Sequence, residues 1–131
     1  MDVLLVDDHP IIHETMRAIV RSVRSDAQFH GQFDLAGGLS QAGRLSHLGL
    51  VLVDLGLPGC SGMEALIKFR ESFPQTRVAV ISATEDRDKV LAALEAGAAG
   101  YLPKTLLPKT MAAALRAIIE GNVYSPLSPS S

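Results

Sequence analysis

Three short runs in this chain share one layout: Val3-Leu4-Leu5-Val6 stops at Asp7-Asp8, Leu50-Val51-Leu52-Val53 stops at Asp54, and Val78-Ala79-Val80-Ile81 stops at Ser82. Apolar runs of this length with no polar alternation suit strands buried on both faces, as in parallel sheets covered by helices. Parallel neighbours need crossover connections, and the intervening segments have helical spacing. After Pro10, which suits a first helical turn, Ile11, Ile12, Met16, Ile19, Val20 and Val23 recur on one face, predicting a helix from about His9 to Arg24.

The other elements follow by the same reasoning. Phe29, Phe33, Leu35 and Ala36 suggest a strand near Gln32 to Ala36 closed by Gly37-Gly38, and Leu39 to Leu48 a short helix. The turn-rich loop Leu57-Pro58-Gly59-Cys60-Ser61-Gly62 leads to a helix from Met63 to Ser72, stopped before Pro74. Asp86 to Ala96 forms another helix, with Gly97 able to take the left-handed cap conformation. Gly100 to Leu102 is a short strand, and Leu106 to Glu120 a last helix capped by Gly121. Five strands alternating with five helices make an α/β domain with a doubly wound parallel sheet. The Pro- and Ser-rich stretch from Val123 to Ser131 reads as a linker.

Composition narrows the function classes. A chain of 131 residues, 47% hydrophobic and 20% charged, is expected to form one domain. A net charge of −2 with dispersed Lys and Arg gives no basic footprint for nucleic acid, so this segment is not expected to bind DNA itself. Cys60 is the only cysteine, which excludes an internal disulfide and reads as a small apolar packing residue. The N-terminus carries neither a basic leader nor an apolar run long enough for a membrane span, so a cytoplasmic location is expected.

In open α/β sheets ligands sit at the carboxyl ends of the strands. These strand assignments put Asp7, Asp8, Asp54, Ser82 and Lys104 at such ends, so that residues spread over about a hundred positions line one crevice. Crowded carboxylates repel when ionised, and a hard dication relieves this, Mg²⁺ especially, with Asp8 and Asp54 as the best ligand candidates. A carboxylate can also attack phosphorus when a metal and a cation neutralise the transferring oxygens, which suits Asp54 with Lys104 as the cation. Each residue has a plainer alternative: Asp7-Asp8 as a helix N-terminus, Asp54 as a loop carboxylate, Lys104 as a solvated lysine, Ser82 as a strand terminator.

Together, Asp7-Asp8, Asp54 with Pro58 and Gly62 after it, Ser82-Ala83 and Tyr101-Leu102-Pro103-Lys104 resemble the response-regulator receiver family from about Asp2 to Asn122. Lys104 follows Ser82 by 22 positions and Tyr101 follows it by 19, as the receiver pattern requires. The resemblance implies a flavodoxin-like (βα)5 fold of strand order 2-1-3-4-5. It implies Asp54 as phosphoacceptor for a sensor histidine kinase, and Mg²⁺ held by Asp8, Asp54 and the Gly56 backbone carbonyl, with Asp7 acting largely through water. Ser82 and Lys104 would bind phosphoryl oxygens, Tyr101 would be the switch aromatic, and Gly56 and Thr84 would modulate hydrolysis. Such a domain is a phosphoacceptor rather than an enzyme.

Within the family, Asp7-Asp8-His9-Pro10, the Tyr101 to Lys104 wording and Gly121-Asn122-Val123-Tyr124-Ser125-Pro126 resemble the NarL/FixJ class. That resemblance implies a receiver over residues 1–122, then the start of a linker over residues 123–131 towards a LuxR-type helix-turn-helix domain absent here. DNA would be reached only through that domain, and a second copy of the chain is a further candidate partner. One departure from the pattern is Thr105 directly after Lys104, with Pro103 before it. A cis Lys104-Thr105 bond would be costly.

Competing readings are weaker. A haloacid-dehalogenase-type phosphatase needs a second acid where Gly56 stands, and a P-loop needs a Gly-Lys-Ser/Thr segment that the chain lacks. His9 and His13 have helical metal-ligand spacing but no third soft ligand nearby in sequence for zinc. A stand-alone or phosphorylation-independent receiver-like binding module remains the main alternative.

Overall fold

The computed structural model describes residues 1–60 and 63–127; Ser61 and Gly62 of the predicted loop, and positions 128–131 of the predicted linker, lie outside the described residues. The buried runs become strands β1 (Asp2–Val6), β3 (Leu48–Asp54) and β4 (Arg77–Ser82), joined by β2 (Gln28–Gln32) and β5 (Tyr101–Pro103). Between them lie α1 (Pro10–Val23), α2 (Leu35–Arg44), α3 (Glu64–Ser72) and α4 (Arg87–Glu95), with α5 (Pro108–Ile119) after β5. The strands hydrogen-bond in the order β2-β1-β3-β4-β5, all in parallel, which is the flavodoxin-like arrangement expected.

Strand pleating divides the apolar runs between two cores. Val3, Leu5, Leu50 and Leu52 face Met16 and Val20 of α1 and Leu115 and Ile118 of α5. Leu4, Val6, Val51 and Val53 face Leu66 and Phe69 of α3 and Val90 of α4. Most of these side chains are fully buried, and burying each contributes about 1.5–3 kcal/mol, so the three central strands are the rigid base of the fold.

The expected second strand was misplaced. It runs over Gln28–Gln32, four residues earlier, and Leu35 and Ala36 open α2 instead. Asp34 decides the boundary: its side chain caps the helix by accepting the Gly37 N–H at 2.7 Å. Gly37 and Gly38 therefore sit inside a helix rather than in a turn. A Cβ at Gly38 would lie 2.7 Å from Val6 Cγ2 and 3.1 Å from Phe69 Cζ, so glycine lets α2 approach β1 and α3 closely. The predicted helix over Leu39 to Leu48 is accordingly α2 shifted upstream, and β3 begins at Leu48.

Among the described residues no peptide bond is cis, so Lys104-Thr105 is trans. After α5, Gly121 takes a φ of 99° and the chain turns back along β5. The Tyr101 N–H donates to Tyr124 O at 3.0 Å, and a single parallel bridge joins Gly100 and Tyr124. No described helix is long and apolar enough to cross a membrane.

Candidate functional site

The strand order reverses between β1 and β3, and the carboxyl ends of β1, β3, β4 and β5 surround that point. Asp7 follows β1, Asp54 and Ser82 are the last residues of β3 and β4, and Lys104 follows β5. The Lys104 N–H donates to Ser82 O at 2.7 Å, which fixes the root of the lysine against β4.

The side chains converge as expected. Lys104 Nζ lies 2.8 Å from Asp7 Oδ2 and 3.2 Å from Asp54 Oδ2, tying together positions almost a hundred residues apart. Asp54 Oδ1 accepts the Gly56 N–H at 3.0 Å, leaving Oδ2 as the oxygen directed to the lysine. Asp54 and Ser82 are nearly buried, but both line a cleft of about 230 Å³ with Gly56, Thr84, Lys89 and Lys104. The Ser82 hydroxyl oxygen accepts the Thr84 N–H at 3.2 Å. Tyr101 is wholly buried, its ring inward and its hydroxyl donating to Thr84 O at 2.8 Å.

Burial pushes the Asp54 carboxyl above the usual carboxylate range; the Gly56 N–H opposes this and the Asp7 charge adds to it. Burial acts on Asp7 in the same direction, but hydrogen bonds from Lys104 and His9 outweigh it and hold that carboxyl below the usual range. Two neighbouring acids are thus driven apart, the pattern that marks sites built for chemistry. Burial also raises the Tyr101 phenol.

The donor set fits a dication. Asp8 Oδ1 is buried and accepts no hydrogen bond, whereas Asp7 Oδ2 is partnered by Lys104 Nζ at 2.8 Å. Buried carboxylate oxygens without hydrogen bonds are costly, and a hard cation that takes oxygen ligands satisfies them. Asp7, Asp8, His9 and Asp54 each offer a donor atom within 4.8 Å of the others.

Two residues of the site escaped the sequence reading. Helical spacing pairs His9 with His13, yet the two part company: His9 faces the acids, whereas the His13 ring contacts Asp7 O at 2.7 Å and packs on Phe33. The usable signal was that His9 directly follows Asp8. Lys89, at the cleft rim on α4, carries no sequence signal that sets it apart from other helical lysines.

Comparison with known proteins agrees with this geometry. Residues 3–116 match the family described as the response regulator receiver domain. The chain is 34% identical over 124 residues to the glycerol metabolism activator of Pseudomonas putida, covering 95% of this chain and 56% of that protein, so it spans little more than half of that relative. A LuxR family DNA-binding response regulator from Silicibacter pomeroyi superposes with a TM-score of 0.84 at 27% identity, covering 100% of this chain and 99% of the other. A LuxR family two-component response regulator from Aurantimonas sp. SI85-9A1 superposes with a TM-score of 0.83 at 29% identity, covering 98% and 90%. With the family model spanning residues 3–116 and its sheet in the order β2-β1-β3-β4-β5, the chain belongs to the response regulator receiver domain family.

Proposed function

We infer that Asp54 is the phosphoacceptor, taking a phosphoryl group from a sensor histidine kinase through Oδ2, and that the resulting switch controls transcription through a DNA-binding domain beyond the 123–131 segment. The observation that carries this reading is the buried Asp54 with one oxygen held by Gly56 and the other facing Lys104 across the cleft. As Oδ2 bonds to phosphorus the donor's bond to phosphorus breaks, and the leaving group departs through the open side of the cleft. Lys104 and the Ser82 hydroxyl then stabilise the phosphoryl oxygens. Asp8, Asp54 and the Gly56 carbonyl, with Asp7 through water, would hold Mg²⁺, which would supply charge neutralisation at those oxygens.

The switch is an equilibrium between two arrangements of the loop after β4, biased because phosphoryl oxygens engage Ser82 in only one of them. Tyr101 reports on that loop through its hydrogen bond to Thr84. Gly56 and Thr84 flank the route to the acyl phosphate, so their substitution changes its lifetime. A cytoplasmic setting and a second copy of the chain as partner belong to the same reading. Intact-mass analysis after incubation with a small phosphodonor and Mg²⁺ tests it: one phosphoryl adduct is expected, absent without metal and absent in Asp54→Asn. No adduct in any folded sample with several donors would leave a phosphorylation-independent binding module.

A further inference from the structure

We propose that His9 is a fourth ligand of the acid-cluster cation, and that it shifts the site's preference from Mg²⁺ towards dications that accept nitrogen, such as Mn²⁺. The inference rests on the reading of the cluster as a dication site and concerns which ion this chain selects.

The observation is the placement of His9 Nδ1. It lies 2.7 Å from Asp7 Oδ1, 3.3 Å from Asp8 Oδ1 and 3.7 Å from Asp54 Oδ2, with Lys104 Nζ 3.0 Å away on another side. Donor atoms about 2.1 Å from an octahedral cation stand about 3.0 Å from their adjacent ligands, so the separation from Asp8 Oδ1 suits an edge of such a shell. The ring is held there by its own backbone, because the His9 N–H donates to Asp7 Oδ1 at 2.9 Å.

The proton inventory favours the same role. A single Nδ1 proton serves Asp7 or Asp8 but leaves nothing to accept from Lys104, and a lone pair at Nδ1 accepts from Lys104 but faces two carboxylate oxygens. A cation among the three acids satisfies that lone pair and the buried Asp8 Oδ1, which accepts no hydrogen bond, at once. Imidazole is a poor ligand for Mg²⁺, which prefers oxygen, and a good one for first-row transition dications, so a histidine at this place discriminates between them. More than half of the His9 side chain is exposed, so ligation needs no rearrangement of the core.

The test uses the full chain with Mn²⁺ and Mg²⁺ alone. Pulsed electron paramagnetic resonance of the Mn²⁺-loaded protein should show nitrogen hyperfine coupling from a bound imidazole, lost in His9→Ala. In competition titrations the ratio of Mn²⁺ to Mg²⁺ affinity should fall in His9→Ala on the order of tenfold. Both ions bound through the acids, with no imidazole coupling and an unchanged ratio, would overturn the role of His9 while leaving the cation site standing. Binding that survives Asp8→Asn, or no binding of either ion, would overturn the cation site and this inference with it.

Discussion

The two ends of one sheet are built to opposite purposes. At the carboxyl ends of β1 and β3, Asp7 and Asp54 are buried with Lys104 as their principal cation, and Asp8 Oδ1 accepts no hydrogen bond. At the opposite end, charged side chains close helix ends instead. Arg70 Nη1 donates to Ala96 O at 3.1 Å, just past α4, and Arg77 Nη2 donates to Asn122 O at 2.7 Å, just past α5. Guanidinium groups there meet unpaired carbonyls at the negative ends of helix dipoles, where cations are favoured. Burying crowded carboxylates costs stability at one end, whereas guanidinium bonds to helix carbonyls add it at the other; the difference lies in burial and in how completely each group is partnered.

Substitutions at the two ends sharpen that contrast. The largest effect is expected for Lys104→Ala, which strips the counter-charge from two buried carboxylates and should cost about 3 kcal/mol in denaturant unfolding without divalent cation. Added Mg²⁺ should recover a large part of that loss; an equal loss with and without it would break the account of the site as a charge-balanced pocket. Asp54→Asn should act the other way and stabilise the domain by about 1 kcal/mol near neutral pH while abolishing phosphorylation. Its pH dependence follows from the raised folded pKa. The unfolded carboxyl ionises first as pH rises, so the wild type loses stability between the ordinary carboxylate range and the folded value. The advantage of the Asn variant is therefore fully present above that window and vanishes below it.

At the other end, Arg77→Ala should destabilise by about 1 kcal/mol, the ordinary worth of a partly exposed hydrogen bond to a carbonyl. Thermal unfolding of that variant with and without Mg²⁺ should give the same loss, since no carboxylate of the cation site is involved. The smallest effect is expected for Asp2→Asn at the amino end of β1, about 0.5 kcal/mol. The hydrogen bond with His30, 3.0 Å away on β2, holds the Asp2 carboxyl below its usual range. That stability is present above the ordinary carboxylate range and is lost as pH falls through it towards the folded value. Acid titration of both proteins should show their difference disappear in that interval.

How far the sequence discloses this molecule follows the same division by burial. β1, β3 and β4 are legible because strands covered on both faces must be continuously apolar, and the first polar residue then marks the carboxyl end where chemistry gathers. Asp7, Asp54 and Ser82 are legible in this way, and Lys104 from its place after the short strand β5. β2 is an edge strand reading Gln28-Phe29-His30-Gly31-Gln32, only half-buried, so no apolar run announces it. Gly37-Gly38 reads locally as a turn, and only the close approach of Val6 and Phe69 explains glycine inside a helix. The place of His9 among the acids is hidden for another reason: helical spacing pairs it with His13, whereas the cleft pairs it with residues at the ends of β1, β3 and β5.

One backbone bond has a mechanical consequence. Because Tyr101 donates to Tyr124 O, the chain leaving α5 is moored to a strand at the sheet edge as well as to the end of a helix. Tension applied to the tail would therefore reach the peptide of Tyr101, three residues from Lys104, as well as the capped end of α5. β5 is thus bonded to the cleft side through the Lys104 N–H and Ser82 O, and to the exit of the chain through the Tyr101 N–H and Tyr124 O, so a pull on the tail would be felt at the cleft.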